Sequence, residues 1–139
     1  MSMDVRLLGQ VDYLPTYEAM QTFTAARQPD TPDELWLCEH PPVYTQGLAG
    51  QAGHVLAPGD IPVVATNRGG QVTYHGPGHL VMYPIVALRE DGISLRAHIR
   101  ALEAALIAAC AAFGIAAERR DGAPGCWVGD RKIGAVGVR

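Results

Sequence analysis

Apolar positions along the chain change period several times, and each change marks an element. Val5-Arg6-Leu7-Leu8 predicts a short opening strand. Between Thr16 and Arg27, the residues Tyr17, Met20, Phe23 and Ala26 recur every three positions, which predicts a helix with one apolar face. Pro15 is tolerated at its start, where backbone N–H groups lack an intrahelical acceptor in any case. Leu35-Trp36-Leu37-Cys38 predicts a strand that ends at Pro41-Pro42, since proline cannot donate to a sheet ladder. A loop rich in glycine and alanine follows from Gly47 to Gly59. The apolar, partly β-branched run from Ile61 to Thr66 predicts another strand. Arg68 to His79 is glycine-rich and leads into Leu80-Val81-Met82-Tyr83, a buried strand.

The clearest element is a helix over Leu95 to Phe113. Ser94 can cap its start and Gly114 can close it in a left-handed conformation. Ile99, Leu102, Leu106, Cys110 and Phe113 share a face, which assigns them to the core. Ile115 to Glu118 predicts a strand, and Trp127-Val128 and Lys132 to Val138 a hairpin across Gly129-Asp130. Strands, a helix and strands again predict an α/β (α+β) fold, a single domain over 1–139 with helices packed on one mixed sheet.

Composition narrows the function classes. A chain of 139 residues suits one domain, and 48% hydrophobic with 18% charged residues is globular rather than disordered. A net charge of −3 and the lack of a Lys/Arg cluster argue against nucleic acid. The N-terminus lacks the basic and apolar regions of a secretory signal. The longest apolar run, Ala104 to Ala117, is interrupted by Gly114 and too short for a membrane helix, which needs about 20 residues. The three cysteines, Cys38, Cys110 and Cys126, are odd in number with no CxxC, which predicts reduced thiols in a cytoplasmic protein.

The densest chemistry lies in Arg68-Gly69-Gly70-Gln71-Val72-Thr73-Tyr74-His75-Gly76-Pro77-Gly78-His79. Paired glycines let backbone N–H groups approach a ligand, Arg68 can pair with an anion, and Thr73, Tyr74 and His75 offer hydrogen bonds. The competing structural reading is a tight turn with a solvated arginine. His75 and His79 are spaced for a metal on a helix, but Gly76-Pro77-Gly78 forbids a regular helix and no further ligand lies near, so no metal is expected. Cys38 and His40 alternate onto one face of a strand, a possible thiol–imidazole pair, although core packing is the simpler role. Cys126 is an outside candidate for a nucleophile. Lys132, in a short apolar strand, reads as an exposed hairpin lysine on composition alone.

Several of these stretches, in order, resemble one family. Glu39-His40-Pro41-Pro42-Val43-Tyr44-Thr45-Gln46-Gly47, the run Arg68 to Gly78, Tyr83-Pro84, Gly122-Ala123-Pro124-Gly125 and Lys132-Ile133-Gly134-Ala135-Val136-Gly137 are similar to the motifs of lipoyl(octanoyl) transferases. The resemblance implies the fold of biotin and lipoate protein ligases. It also implies transfer of an octanoyl group from octanoyl-acyl carrier protein to a lysine on lipoyl domains of 2-oxoacid dehydrogenases and the glycine cleavage H protein. That transfer runs through a cysteine thioester, with no cofactor and no ATP. By resemblance, Arg68, Gly69, Gly70, Gln71, Val72, Thr73, Tyr74 and His75 line the acyl and pantetheine pocket. Ala135, Val136 and Gly137 make backbone contacts near the thioester, and Lys132 lowers the pKa of the nucleophilic cysteine.

The family's cysteine lies beyond the strand of Lys132, and none of the three cysteines here occupies its place. The expectation is a catalytic domain that is C-terminally incomplete and inactive by itself. Two other readings stay open. A lipoate–protein ligase would use ATP and no cysteine, although its longer glycine-rich motif differs from His75-Gly76-Pro77-Gly78. A non-catalytic module would bind acyl carrier protein or lipoyl domains without forming a thioester.

Overall fold

The computed structural model describes residues 2–139. The chain divides into two units, Met1–Ala87 and Leu88–Arg139.

In the first unit the opening strand is longer than its apolar run, β1 over Met3–Gln10, because parallel pairing with β2 (Asp33–Glu39) extends it at both ends. The strand β6 (Val81–Ile85) runs antiparallel on the other side of β2, with Trp36 opposite Tyr83 and Cys38 opposite Val81. β1 is therefore an edge, and Met3, Val5 and Leu7 stand exposed on one of its faces, Leu7 at 79%. The first helix, α1, begins at Tyr13 rather than Thr16 and ends at Ala26. Pro15 thus falls inside the first turn, where its missing N–H costs nothing. Phe23 of α1 meets Trp36 of β2 edge-on at 6.3 Å. Arg27, just past the helix, ties this end down by donating to Asp33 Oδ1 (2.7 Å) and to the carbonyls of Thr31 and Ile85. Asp33 also accepts from the Ala87 N–H at 3.0 Å.

A second sheet in this unit contains two strands that periodicity misses. β3 (Val43–Gln46) lies between β4 (Val63–Ala65, parallel) and β5 (Val72–His75, antiparallel), and Thr45 stands opposite Thr73. Residues 72–75, expected within a glycine-rich loop, are thus a strand, because β3 supplies their ladder. A single 3₁₀ turn, Ala52–His54, interrupts the long loop that follows β3.

The second unit has α2 over Leu95–Ala112 and an antiparallel sheet of β7 (Glu118–Arg120), β8 (Ala123–Val128) and β9 (Arg131–Ala135). Ser94 caps α2 as expected, its Oγ accepting from the Ala97 N–H at 3.1 Å, and Gly114 closes it by donating to the Ala111 carbonyl at 2.9 Å. Phe113 departs from the expected core face. It is 84% exposed, because the helix stops at Ala112 and its backbone (φ −100°, ψ 12°) leaves the helical path. The anchor between helix and sheet is instead a carboxylate: Glu103, 2% exposed, accepts from the Gly125 N–H at 3.1 Å. The last strand ends at Ala135 instead of continuing to Val138. The expected single sheet is therefore three small ones, two in the first unit and one in the second. No described helix is long and apolar enough to cross a membrane.

Candidate functional site

Strand β3 runs into a strap, Gly47 to Ala49, that hydrogen-bonds along the Arg68–Gln71 loop. The N–H groups of Gly47, Leu48 and Ala49 donate to the carbonyls of Gln71, Arg68 and Gly70 at 3.0, 2.9 and 3.0 Å. Such close approach leaves no room for a side chain at position 47. A Cβ there would collide with the Gly70 carbonyl oxygen and stand 2.7 Å from that of Gly69. The half-buried Arg68 side chain turns back into the same loop. Its Nη2 donates to the Thr45 carbonyl (2.7 Å), to Thr45 Oγ1 (2.8 Å) and to the Gln71 carbonyl (2.9 Å), and Nη1 to the Gly69 carbonyl (2.8 Å). The guanidinium thus turns onto its own loop, the alternative to the outward, anion-facing placement that the sequence suggested. Arg68 is absorbed by backbone carbonyls and the Thr45 hydroxyl, and it holds the loop rather than reaching out of it.

Along β5 the side chains alternate, so Val72 and Tyr74 share one face and Thr73 and His75 the other. Tyr74 is 45% exposed and its ring lies 5.4 Å from that of Tyr44, while His75 points inward to a cluster of rings. Its neighbours are Tyr13 (6.1 Å, stacked), His40 (5.9 Å, edge-on) and His79 (5.4 Å, stacked). His79 is brought back over His75 by a turn in which Pro77 precedes Gly78 at φ +85° and the His79 N–H donates to the Gly76 carbonyl at 3.0 Å. Thr45 Oγ1 accepts from Arg68 and lies 3.3 Å from His75 Nε2, a hydrogen bond whose direction follows the tautomer of the ring. The other ring nitrogen, Nδ1, is a buried atom with no partner among the described residues.

His75 is held neutral. Burial, then the neighbouring His79, His40 and Arg68, push its pKa down from 6.5 to about 4. The unfolded chain therefore binds a proton near pH 6.5 that the folded chain refuses until about pH 4. The group's contribution is full above pH 6.5 and is lost as pH falls from there towards 4. With solvent screening discounted, the loss is about 1–2 kcal/mol. Denaturant titrations of wild type and His75→Gln at pH 7 and pH 4.5 would expose this limb. The substitution is expected to flatten it, and equal pH slopes in both proteins would refute the assignment.

His40 is completely buried. Its Nδ1–H donates to the Val11 carbonyl (2.7 Å) and its Nε2 accepts from the Tyr83 hydroxyl (2.8 Å). Cys38 Sγ does reach His40 Nε2, at 3.7 Å, so the alternation onto one face holds. It is no nucleophilic pair, because that nitrogen is already engaged and burial pushes the thiol's pKa up. Cys126, 1% exposed, has its thiol pushed up by burial and then by the adjacent Cys110. Neither thiol is poised for attack. In the second unit Lys132 lies exposed on β9 opposite Trp127, with Nζ 5.2 Å above the indole while Arg120 covers the same ring at 4.3 Å. Ala135 ends β9 opposite Gly125, and Val136 and Gly137 follow outside regular structure. Among the described residues no group of three or more His, Cys, Asp or Glu side chains could hold a metal ion.

Tyr13, Thr45, Gly47 and Tyr83 join His75 and Arg68 without having been singled out as site residues, and His40 had been considered only as a partner of Cys38. His40, Thr45, Gly47 and Tyr83 lie inside recognised motifs. Tyr13 carries no local signal, since only the docking of α1 brings it to the cluster.

The chain has clear relatives. A family model described as the lipoyl protein ligase A/B catalytic domain matches residues 12–139. An octanoyltransferase of Albidiferax ferrireducens is 59% identical over 130 residues, covering 92% of this chain and 56% of that protein. Those of Polaromonas sp. (59%) and Alkalilimnicola ehrlichii (55%) align over 92% and 97% of this chain and 51% and 63% of their own lengths. The chain thus spans between half and two-thirds of the relatives it matches. Among solved structures, a T. acidophilum protein described as a lipoate protein ligase superposes with a TM-score of 0.72 at 18% identity, covering 96% of this chain and 60% of that one. A lipoate-protein ligase A bound with ATP superposes with a TM-score of 0.69 at 16% identity. At such identities the likeness is one of fold, and it agrees with the mixed α/β architecture expected.

Proposed function

We propose that this chain, which belongs to the lipoyl protein ligase A/B catalytic domain family, forms the acyl-binding part of an octanoyltransferase. The reaction moves octanoate from octanoyl-acyl carrier protein to a lysine of a lipoyl domain, in a 2-oxoacid dehydrogenase or the glycine cleavage H protein. A cysteine thiolate attacks the donor thioester and expels the pantetheine thiolate, and the lysine amine then attacks the new thioester and expels the cysteine. Lys132 is the ammonium that favours this thiolate, Ala135, Val136 and Gly137 line the approach to it, and the cytoplasm is the setting. The nucleophile is none of Cys38, Cys110 and Cys126, so these 139 residues alone complete no transfer.

One observation carries this reading over an ATP-dependent ligase: the pocket wall built from Arg68 to His75 is electrically quiet. Arg68 is consumed by carbonyls, and His75 is neutral and offers one unpartnered ring nitrogen, Nδ1. Such a wall suits an uncharged acyl thioester and suits a triphosphate poorly. The other two cations of the first unit, Arg6 and Arg27, are paired with Glu34 and Asp33.

Titration of the isotope-labelled chain with octanoyl-pantetheine, followed by amide NMR and intact mass, tests the proposal. Shifts are expected in Val72 to His75 with the mass unchanged. A hydroxylamine-labile octanoyl adduct would overturn the exclusion of the three thiols. Shifts at the Arg68 loop with ATP but not with the thioester would favour the ligase.

A further inference from the structure

The net charge of −3 hides a segregation. Leu88–Arg139 holds eight of the eleven Lys/Arg but six of the fourteen Asp/Glu, leaving it at +2 and Met1–Ala87 at −5. Within the positive unit, an open groove of about 620 Å³ lies between α2 and β7, lined by Leu95, Arg96, Ile99, Arg100, Arg119, Asp121 and Gly122. Arg119 is committed at home, to Asp121 (2.9 Å) and Glu103 (3.6 Å). Arg96 and Arg100 make no ion pair among the described residues.

Their placement opposes helix stability. They are four apart on one helix face, where like charges repel, and Arg96 sits in the first turn, where the helix dipole disfavours a cation and no acidic residue compensates. Beside this pair Leu95 is 52% exposed and lies one turn from Ile99 on the neighbouring stripe of the helix. Two uncompensated guanidinium groups alongside an apolar strip match a protein surface that carries several carboxylates next to apolar side chains. A small anion would gain little here, because each exposed ion pair is weak by itself and several must act together.

We propose that this groove is the docking surface for the acidic face of the acyl carrier protein that brings the octanoyl thioester. The inference rests on the function proposed above and adds the place where the donor lands. The donor rather than the acceptor is assigned because Arg119 lies on β7 of the same sheet whose last strand, β9, carries Lys132 and leads into Ala135–Gly137.

The test measures fluorescence anisotropy of labelled octanoyl-acyl carrier protein against the 139-residue chain and against Arg96→Glu/Arg100→Glu, at low and high salt. The double variant is expected to bind about tenfold more weakly at low salt, with the gap closing as salt screens the charges. Arg96→Gln/Arg100→Gln should fall between the two, and both variants should melt no lower than wild type. Equal affinity across the three proteins overturns the proposal. So does the absence of carrier binding to wild type, or a loss confined to a lipoyl domain titrated in parallel. Octanoyl-pantetheine, which lacks the carrier surface, separates the two ideas. If it binds wild type and variant alike, only the docking surface falls with a failed carrier test. If it binds neither, the acyl-pocket reading falls.

Discussion

Alanine in place of Gly47 is expected to cost the first unit about 3 kcal/mol, at the top of the range for overpacking a close contact. The added Cβ would meet the Gly70 carbonyl oxygen, the Gly69 carbonyl oxygen at 2.7 Å and Arg68 Nη1 at 2.8 Å. Two of the three are backbone atoms and cannot rotate away. Relief therefore requires the strap to lift off the loop, which breaks the paired N–H groups of Gly47, Leu48 and Ala49 and disturbs the Arg68 ring of hydrogen bonds. Octanoyl-pantetheine binding should be lost along with stability. Gly53→Ala is the control. A Cβ at Gly53 meets nothing within 4 Å, so alanine there should be neutral or stabilising by a few tenths of a kcal/mol up to about 1 kcal/mol. Chemical denaturation of the two variants side by side decides the matter, and equal midpoints would show that the strap does not depend on Gly47.

His40→Leu is expected to cost about 2–5 kcal/mol. Leucine has comparable bulk, so the loss comes from polar partners rather than a cavity. The Val11 carbonyl would lose its donor and the Tyr83 hydroxyl its acceptor, each costing about 1–3 kcal/mol when left buried and unpaired. The ring contacts to Tyr13 at 5.3 Å and to His75 at 5.9 Å would be lost with them. Tyr83→Phe removes one stranded group in advance, so the double variant should cost less than the sum of the two singles. Equilibrium unfolding of wild type, both singles and the double closes this cycle. Strict additivity would mean that the His40–Tyr83 hydrogen bond carries no coupling.

Some of this was legible in the sequence. The second helix declared itself through Ser94, Gly114 and its apolar period, and the strand of Leu35–Cys38 through its composition. The strands Val43–Gln46 and Val72–His75 did not, because each is four residues long and gains its order from the other across a gap of some 25 residues in the chain. Arg68 was legible as important but not in its direction. Spacing cannot tell whether a guanidinium reaches outward or folds back, and the carbonyls that decide it come from Thr45, Gly69 and Gln71. Phe113 was misplaced because a helical face extrapolated one residue too far counts a cap as core. His40 sat in view within a motif, yet its two hydrogen bonds and complete burial depend on Val11 and Tyr83, distant in the chain.

The open edge of β1 has a consequence for how this polypeptide behaves in a test tube. Parallel pairing with β2 uses one side of the strand and leaves the other with unpaired N–H and C=O groups, beside the bare side chains of Met3, Val5 and Leu7. A strand of that kind is a template for a second copy, and Asp4 and Arg6 are its only interruptions by charge. Self-association should therefore begin at the N-terminal strand, remote in sequence from Arg68–His75. A lysine grafted at Leu7 is the natural way to keep concentrated samples dispersed without touching the chemistry.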